Sequence, residues 1–259
     1  MISIIVNFDS RPGWNSDESF IGQYGQGSLQ GVRSSDFWSD GIKSIENYFS
    51  GTEYDITAVM DEVEPIPDDV SIADGHTVSR RQFPKNIHRY NDRLYIDSVA
   101  LAKGEYVCHI DGDVSLFRDP NSNIVQQYLE WLDSGKYKFI CQPTPLSYEE
   151  HLMDHASTRF FICKRESLNI YELYRLLDDA TKADRFPGQH LPCLEHILGA
   201  MAGKGEVFYP PLDLNDHVIF SWVRYKKGLI KNLNGLPYNE VIEYINKAGL
   251  HGASDLAAI

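Results

Sequence analysis

Asp111 and Asp113 stand one residue apart at the end of Tyr106-Val107-Cys108-His109-Ile110-Asp111-Gly112-Asp113. The run before them is apolar and free of turn residues, so it reads as a buried strand. Ligands of open α/β sheets bind outside the carboxyl ends of such strands. Two carboxylates separated by one glycine can converge on a single divalent cation, and oxygen donors suit Mg²⁺ or Mn²⁺. A plain surface turn is the simpler account of an Asp-Gly dipeptide, but the position straight after a strand favours a site. An EF-hand loop starting at Asp111 would need Gly at its sixth position and Glu at its twelfth. Leu116 and Ser122 stand there instead, which excludes that loop.

The elements that must position this pair follow from apolar patterning. Strands are predicted over Ile2–Phe8, Tyr54–Met60, Glu105–Ile110, Tyr137–Cys141, Thr158–Cys163, Val207–Tyr209 and His217–Tyr225. Helices are predicted over Asp36–Ser50, Asn86–Lys103, Ile124–Leu132, Ser167–Leu177, Pro192–Met201 and Tyr238–Lys247. In the first of these, Phe37, Ile42, Ile45 and Phe49 share a face. The second is expected to end at Gly104 acting as a C-cap. Between the first strand and the first helix, Asp9–Ser35 is a polar loop with glycines at 13, 22, 25, 27 and 31. Loops of that length in a compact domain are usually functional or mobile. Alternating strands and helices predict an α/β sandwich with a mostly parallel central sheet. No repeat, low-complexity tract or linker divides the 259 residues, so residues 1–259 are expected to form one domain.

Composition narrows the partners. The chain carries 37 acidic and 24 basic residues, a net charge of −13. A surface so acidic repels phosphate backbones and anionic lipids, so no nucleic acid or membrane partner is expected. The densest basic stretch, Arg224, Lys226, Lys227 and Lys231, reads as a solvated face. No apolar run is long enough for a transmembrane helix, and no leader peptide is recognisable. The four cysteines at 108, 141, 163 and 193 form no CxxC pair, and the first three lie in apolar runs. They read as buried thiols of a reducing compartment, which makes the cytoplasm the expected location.

Asn91–Pro120, NDRLYIDSVALAKGEYVCHIDGDVSLFRDP, resembles the centre of a nucleotide-sugar-dependent glycosyltransferase with the GT-A fold. There, a helix carrying an Arg leads into a strand ending in DxD. The resemblance implies a metal-dependent transfer of a hexose-like sugar from a nucleotide-diphosphate donor, with a UDP-sugar expected, to a saccharide or other hydroxyl acceptor. It implies that Asp111 and Asp113 bind the metal, Mn²⁺ or Mg²⁺, that grips the diphosphate, and that Arg93 faces the donor. Residues 1–113 would form the nucleotide-sugar-binding half, and residues 114–259 the acceptor half and C-terminal tail. Such a cation makes chemical sense, since it neutralises charge developing on the leaving diphosphate.

The same resemblance extends to residues outside the quoted stretch. The exit of the first strand, Asn7-Phe8-Asp9-Ser10-Arg11, would cradle base and ribose: Phe8 by stacking, Asp9 at a ribose hydroxyl, Arg11 nearby. Asp61, or its neighbour Glu62, follows the second strand and is similarly placed. A late histidine would complete the metal site. His251, between Gly249 and Gly252 in the tail, is the expected ligand and His217 its rival. Glu195, near the start of a helix, would be the base that deprotonates the acceptor, with Gln189 a weaker alternative. The second acid usual beside such a base is His196 here. Two other classes stay open: a phosphatase or other phosphoryl enzyme of the DxD type, and a catalytically silent carbohydrate or sugar-nucleotide binder. The phosphatase reading finds Ser115 after the pair, but its later paired acids would be Asp178-Asp179, which close a predicted helix.

Overall fold

The computed structural model describes residues 1–7, 38–61, 76–81, 96–111, 114–141, 156, 160–182, 194–203, 205–210, 217–221, 237, 239–241 and 243. In chain order the strands are β1 (Ile2–Asn7), β2 (Tyr54–Asp61), β3 (His76–Arg81), β4 (Tyr106–Asp111), β5 (Val114–Arg118), β6 (Phe139–Cys141), β7 (Phe160–Lys164), β8 (Val207–Phe208) and β9 (His217–Ser221). The helices are α1 (Trp38–Tyr48), α2 (Ile124–Asp133), α3 (Ile170–Lys182) and α4 (Leu194–Ala202). Residues 96–99 are also helical.

Seven strands form one sheet in the order β3-β2-β1-β4-β7-β6-β8. β3, β2, β1 and β4 run parallel, β7 is antiparallel to both β4 and β6, and β6 pairs parallel with β8. β5 and β9 make a separate antiparallel ribbon. Helices cover both faces, which is why β1 is buried along its whole length and reads as an unbroken apolar run. On one face Ile2, Ile4, Val6, Cys108 and Ile110 meet Ile42 and Ile45 of α1, Phe49 just after it, and Ile124, Tyr128 and Leu132 of α2. Tyr48 and Tyr128 share a buried hydrogen bond of 3.1 Å that joins the two helices. On the other face Ile5, Val59, Val107, Phe139 and Phe161 meet Ile96, Leu173 and Leu177, and Ile197 and Leu198 of α4. Burying each such aliphatic side chain contributes about 1.5–3 kcal/mol.

Several expectations shift in detail. Ser167 closes a short 3₁₀ turn (Arg165–Ser167), and the helix beyond it starts at Ile170 and passes through Asp178-Asp179. β3 and β5 have no counterpart among the predicted strands. Gly104 is not a left-handed cap, because the described glycines with positive φ are 51, 135, 203 and 205. Its reason is space: a Cβ there would meet Met1 O at 2.7 Å and Ser3 N at 2.8 Å, so β1 crosses too close for any side chain. Cys108, Cys141 and Cys163 are free and buried as expected, and burial pushes the thiols of Cys108 and Cys163 up.

Candidate functional site

The four parallel strands end at one edge of the sheet. Asp111 is the last residue of β4, half-exposed after five buried residues, and pairs in register with Asn7 at the end of β1. Asn7 pairs on its other side with Val59 of β2, two residues before Asp61. Asp61 in turn faces Arg81 across the β2–β3 ladder. The backbone therefore brings Asn7, Asp61, Asp111 and Arg81 to the same edge, with acidic positions on β2 and β4. Arg81 was not legible beforehand because β3, HTVSRR, carries no apolar run.

Side chains alternate along a strand, so Asp111 shares a face of β4 with Val107 and His109. Val107 belongs to the core beneath α3 and α4, and Cys108 and Ile110 to the opposite one. Asp111 thus lies on the face that α4 covers. Glu195 is the second residue of α4, in its first turn, where the helix dipole favours a carboxylate. The fold brings the expected base and the expected metal ligand to the same layer.

Directly below this edge is a polar pair that sequence reasoning missed. Asn7 Nδ2 lies 2.8 Å from His109 Nε2, and both residues are buried. An amide N–H only donates, so Nε2 accepts. The His109 ring stacks on Phe161 of β7, with centroids 5.3 Å apart and planes at 18°. The amide oxygen of Asn7 is buried, and among the described residues it has no hydrogen-bond partner. The pairing joins residues 102 apart in sequence, and no local pattern announces it.

The ribbon leaves the edge immediately after the DxD. Val114 of β5 pairs with Ser221 of β9, and Arg118 pairs with His217. Ser44 Oγ of α1 anchors this ribbon by accepting the Leu116 N–H at 3.1 Å while donating to Gly41 O. His217 is therefore four residues along the ribbon from the Asp113 end, about 13 Å at about 3.3 Å per residue.

Phe8, Asp9, Arg11, Glu62, Arg93, Asp113, Gln189 and His251 lie outside the described residues. For Asp61, Glu195 and His217 the description covers the backbone alone. Among the described residues no three His, Cys, Asp or Glu side chains gather in a group that could hold a metal ion. The donor chemistry at the edge nevertheless fits a hard divalent cation, since the partly exposed Asp111 at the strand end offers carboxylate oxygens. No helix among the described residues is long and apolar enough to cross a membrane.

No protein-family model and no curated protein matches the chain by sequence. Solved structures match by shape. The galactosyltransferase LgtC, in complex with donor and acceptor sugar analogues, gives a TM-score of 0.51 at 10% identity, over 81% of this chain and 73% of that one. The mannosyltransferase PcManGT from Pyrobaculum calidifontis, in complex with GDP-Man and Mn²⁺, gives 0.50 at 12% identity, over 99% of this chain and 72% of that one. The chain therefore has the α/β GT-A fold of these glycosyltransferases, as its sequence led one to expect.

Proposed function

We propose that this chain is a metal-dependent glycosyltransferase that moves a sugar from a nucleotide-diphosphate donor, a UDP-sugar, to an acceptor hydroxyl. The observation that carries the proposal is Asp111, a half-exposed carboxylate at the carboxyl end of a central strand of a GT-A sheet. The fold's neighbours include a mannosyltransferase held with GDP-Man and Mn²⁺. Asp111 and Asp113 would hold Mn²⁺ or Mg²⁺, with His251 as the third protein ligand. When bound, such a cation supplies Lewis acidity to the leaving diphosphate.

The protein's own residues would do the rest. Phe8, Asp9, Arg11 and Asp61 would bind base and ribose at the ends of β1 and β2, and Arg93 would face the donor. Glu195 would accept the proton of the acceptor hydroxyl, a role that suits an inverting reaction. Its place in the first turn of α4, over the face that carries Asp111, supports that role. Thermal shift against UDP, GDP, CMP and their sugars, with and without Mn²⁺, tests the reading. A nucleotide present at about 100 times its Kd should stabilise the fold by about 2.7 kcal/mol. The expected result is a shift with UDP and Mn²⁺ together that neither gives alone. No shift with any nucleotide would contradict the proposal.

A further inference from the structure

We propose that the buried Asn7–His109 pair positions the metal-binding edge, fixing where the carboxylate of Asp111 stands. The inference rests on the metal-dependent reading above. β1 and β4 are otherwise almost wholly apolar here, with Ile5, Val6 and Ile110 as neighbours. Two amphipathic side chains in such a place lose water that apolar ones would not miss, so packing alone does not account for them.

Their geometry accounts for them better. In the backbone ladder Asn7 is the partner of Asp111, and His109 is the partner of Ile5. The Asn7–His109 hydrogen bond is therefore diagonal: it ties the last residue of β1 to a residue two positions before Asp111. A diagonal tie resists sliding of β1 against β4, which the ladder alone resists less at a strand end. Phe161 holds the other side of the tie by stacking on the ring, so β7 is locked to the same point. Three adjacent strands thus share one polar junction next to the residue expected to hold the cation. Residues that orient metal ligands from behind typically change metal affinity by about 10–100-fold when altered.

A positioning role separates from a structural one because it predicts opposite movements of stability and metal affinity. The double variant Asn7→Leu/His109→Phe keeps the volume and the ring stack but removes every polar atom of the pair. Mn²⁺ binding in the presence of UDP would be followed by electron paramagnetic resonance, alongside the urea midpoint of each protein without metal. We expect the double variant to hold its midpoint or raise it while binding Mn²⁺ about tenfold or more weakly. His109→Gln, whose side-chain amide keeps a partner for the Asn7 amide, should bind Mn²⁺ more tightly than the double variant. Asn7→Ala, which cannot overpack, serves as the second variant and should also weaken Mn²⁺. Wild-type Mn²⁺ affinity in folded Asn7→Ala or in the double variant would overturn the inference. Wild-type protein whose Mn²⁺ binding is absent, or is untouched by Asp111→Asn, would instead overturn the metal-dependent reading and this inference with it.

Discussion

At the amino ends of β1, β2 and β4 the chain closes on itself. Ser3 Oγ donates to Asp55 Oδ1 at 2.7 Å and accepts the N–H groups of Lys103 and Gly104 at 3.0 and 2.7 Å. Nearby, Tyr106 OH donates to Asp133 Oδ1 at 2.7 Å, Lys164 Nζ lies 2.9 Å from the same oxygen, and Arg165 donates to Lys103 O. At the carboxyl ends of the same strands, the Asn7 amide oxygen has no partner among the described residues and Asp111 is half-exposed. The amino end ties its polar groups into the fold; at the carboxyl end the buried Asn7–His109 pair lies beneath the carboxylate proposed to meet the ligand. On the proposed reading, stability and function sit at opposite ends of the same strands.

That contrast breaks if substitutions at the two ends have the same consequences. The largest effect is expected from Asp111→Asn or Asp113→Asn, which should remove turnover and Mn²⁺-dependent nucleotide binding. Neither should lower the urea midpoint of the metal-free protein, since each takes charge out of an acidic edge. Glu195→Gln should come next, lowering turnover by about 10²–10⁴-fold with donor affinity little changed. A loss below about tenfold in steady-state rate would remove Glu195 as the base and favour a retaining mechanism.

Gly104→Ala should do the reverse. Its Cβ would strike Met1 O and Ser3 N, both backbone atoms, and overpacking of this kind costs about 1–3 kcal/mol. Urea denaturation should show that loss, and Mn²⁺ affinity of the folded protein should stay at the wild-type value. The smallest effect belongs to the Asp133–Lys164 pair, in which Asp133 is exposed and Lys164 half-buried. Hydrogen bonds from Lys164 and Tyr106 hold the Asp133 carboxyl below its ordinary 3.8, and the bond to Asp133 holds the Lys164 ammonium above its ordinary 10.5. The pair's stabilisation is therefore present between those values. It fades as pH falls through the lowered Asp133 value or rises through the raised Lys164 value. Lys164→Met should lower the urea midpoint slightly at pH 7, with the difference from wild type shrinking in acid.

Legibility in the sequence followed the same division. β1, β4 and α2 announce themselves because both faces of the strands, and one stripe of the helix, are apolar. β3 and β5 do not: HTVSRR is a polar edge strand, and VSLFR follows an Asp-Gly-Asp that reads as a turn. Asp111 was readable because its chemistry and its strand are adjacent in sequence. The Asn7–His109 junction and the crossing of β1 over Gly104 were not, because each depends on contacts about a hundred residues apart. The place of His217 on the ribbon needed the β5–β9 register, which no spacing in the sequence supplies, and His251 lies outside the described residues.

The most direct test of the central claim, that the carboxyl edge around Asp111 is a metal–nucleotide site, is titration calorimetry of UDP into wild-type protein and into Asp111→Asn, with Mn²⁺ and with chelator. The account predicts binding to wild-type protein in Mn²⁺ that largely disappears with chelator and in the variant. Equal UDP binding in all four conditions, or none in any, would contradict it.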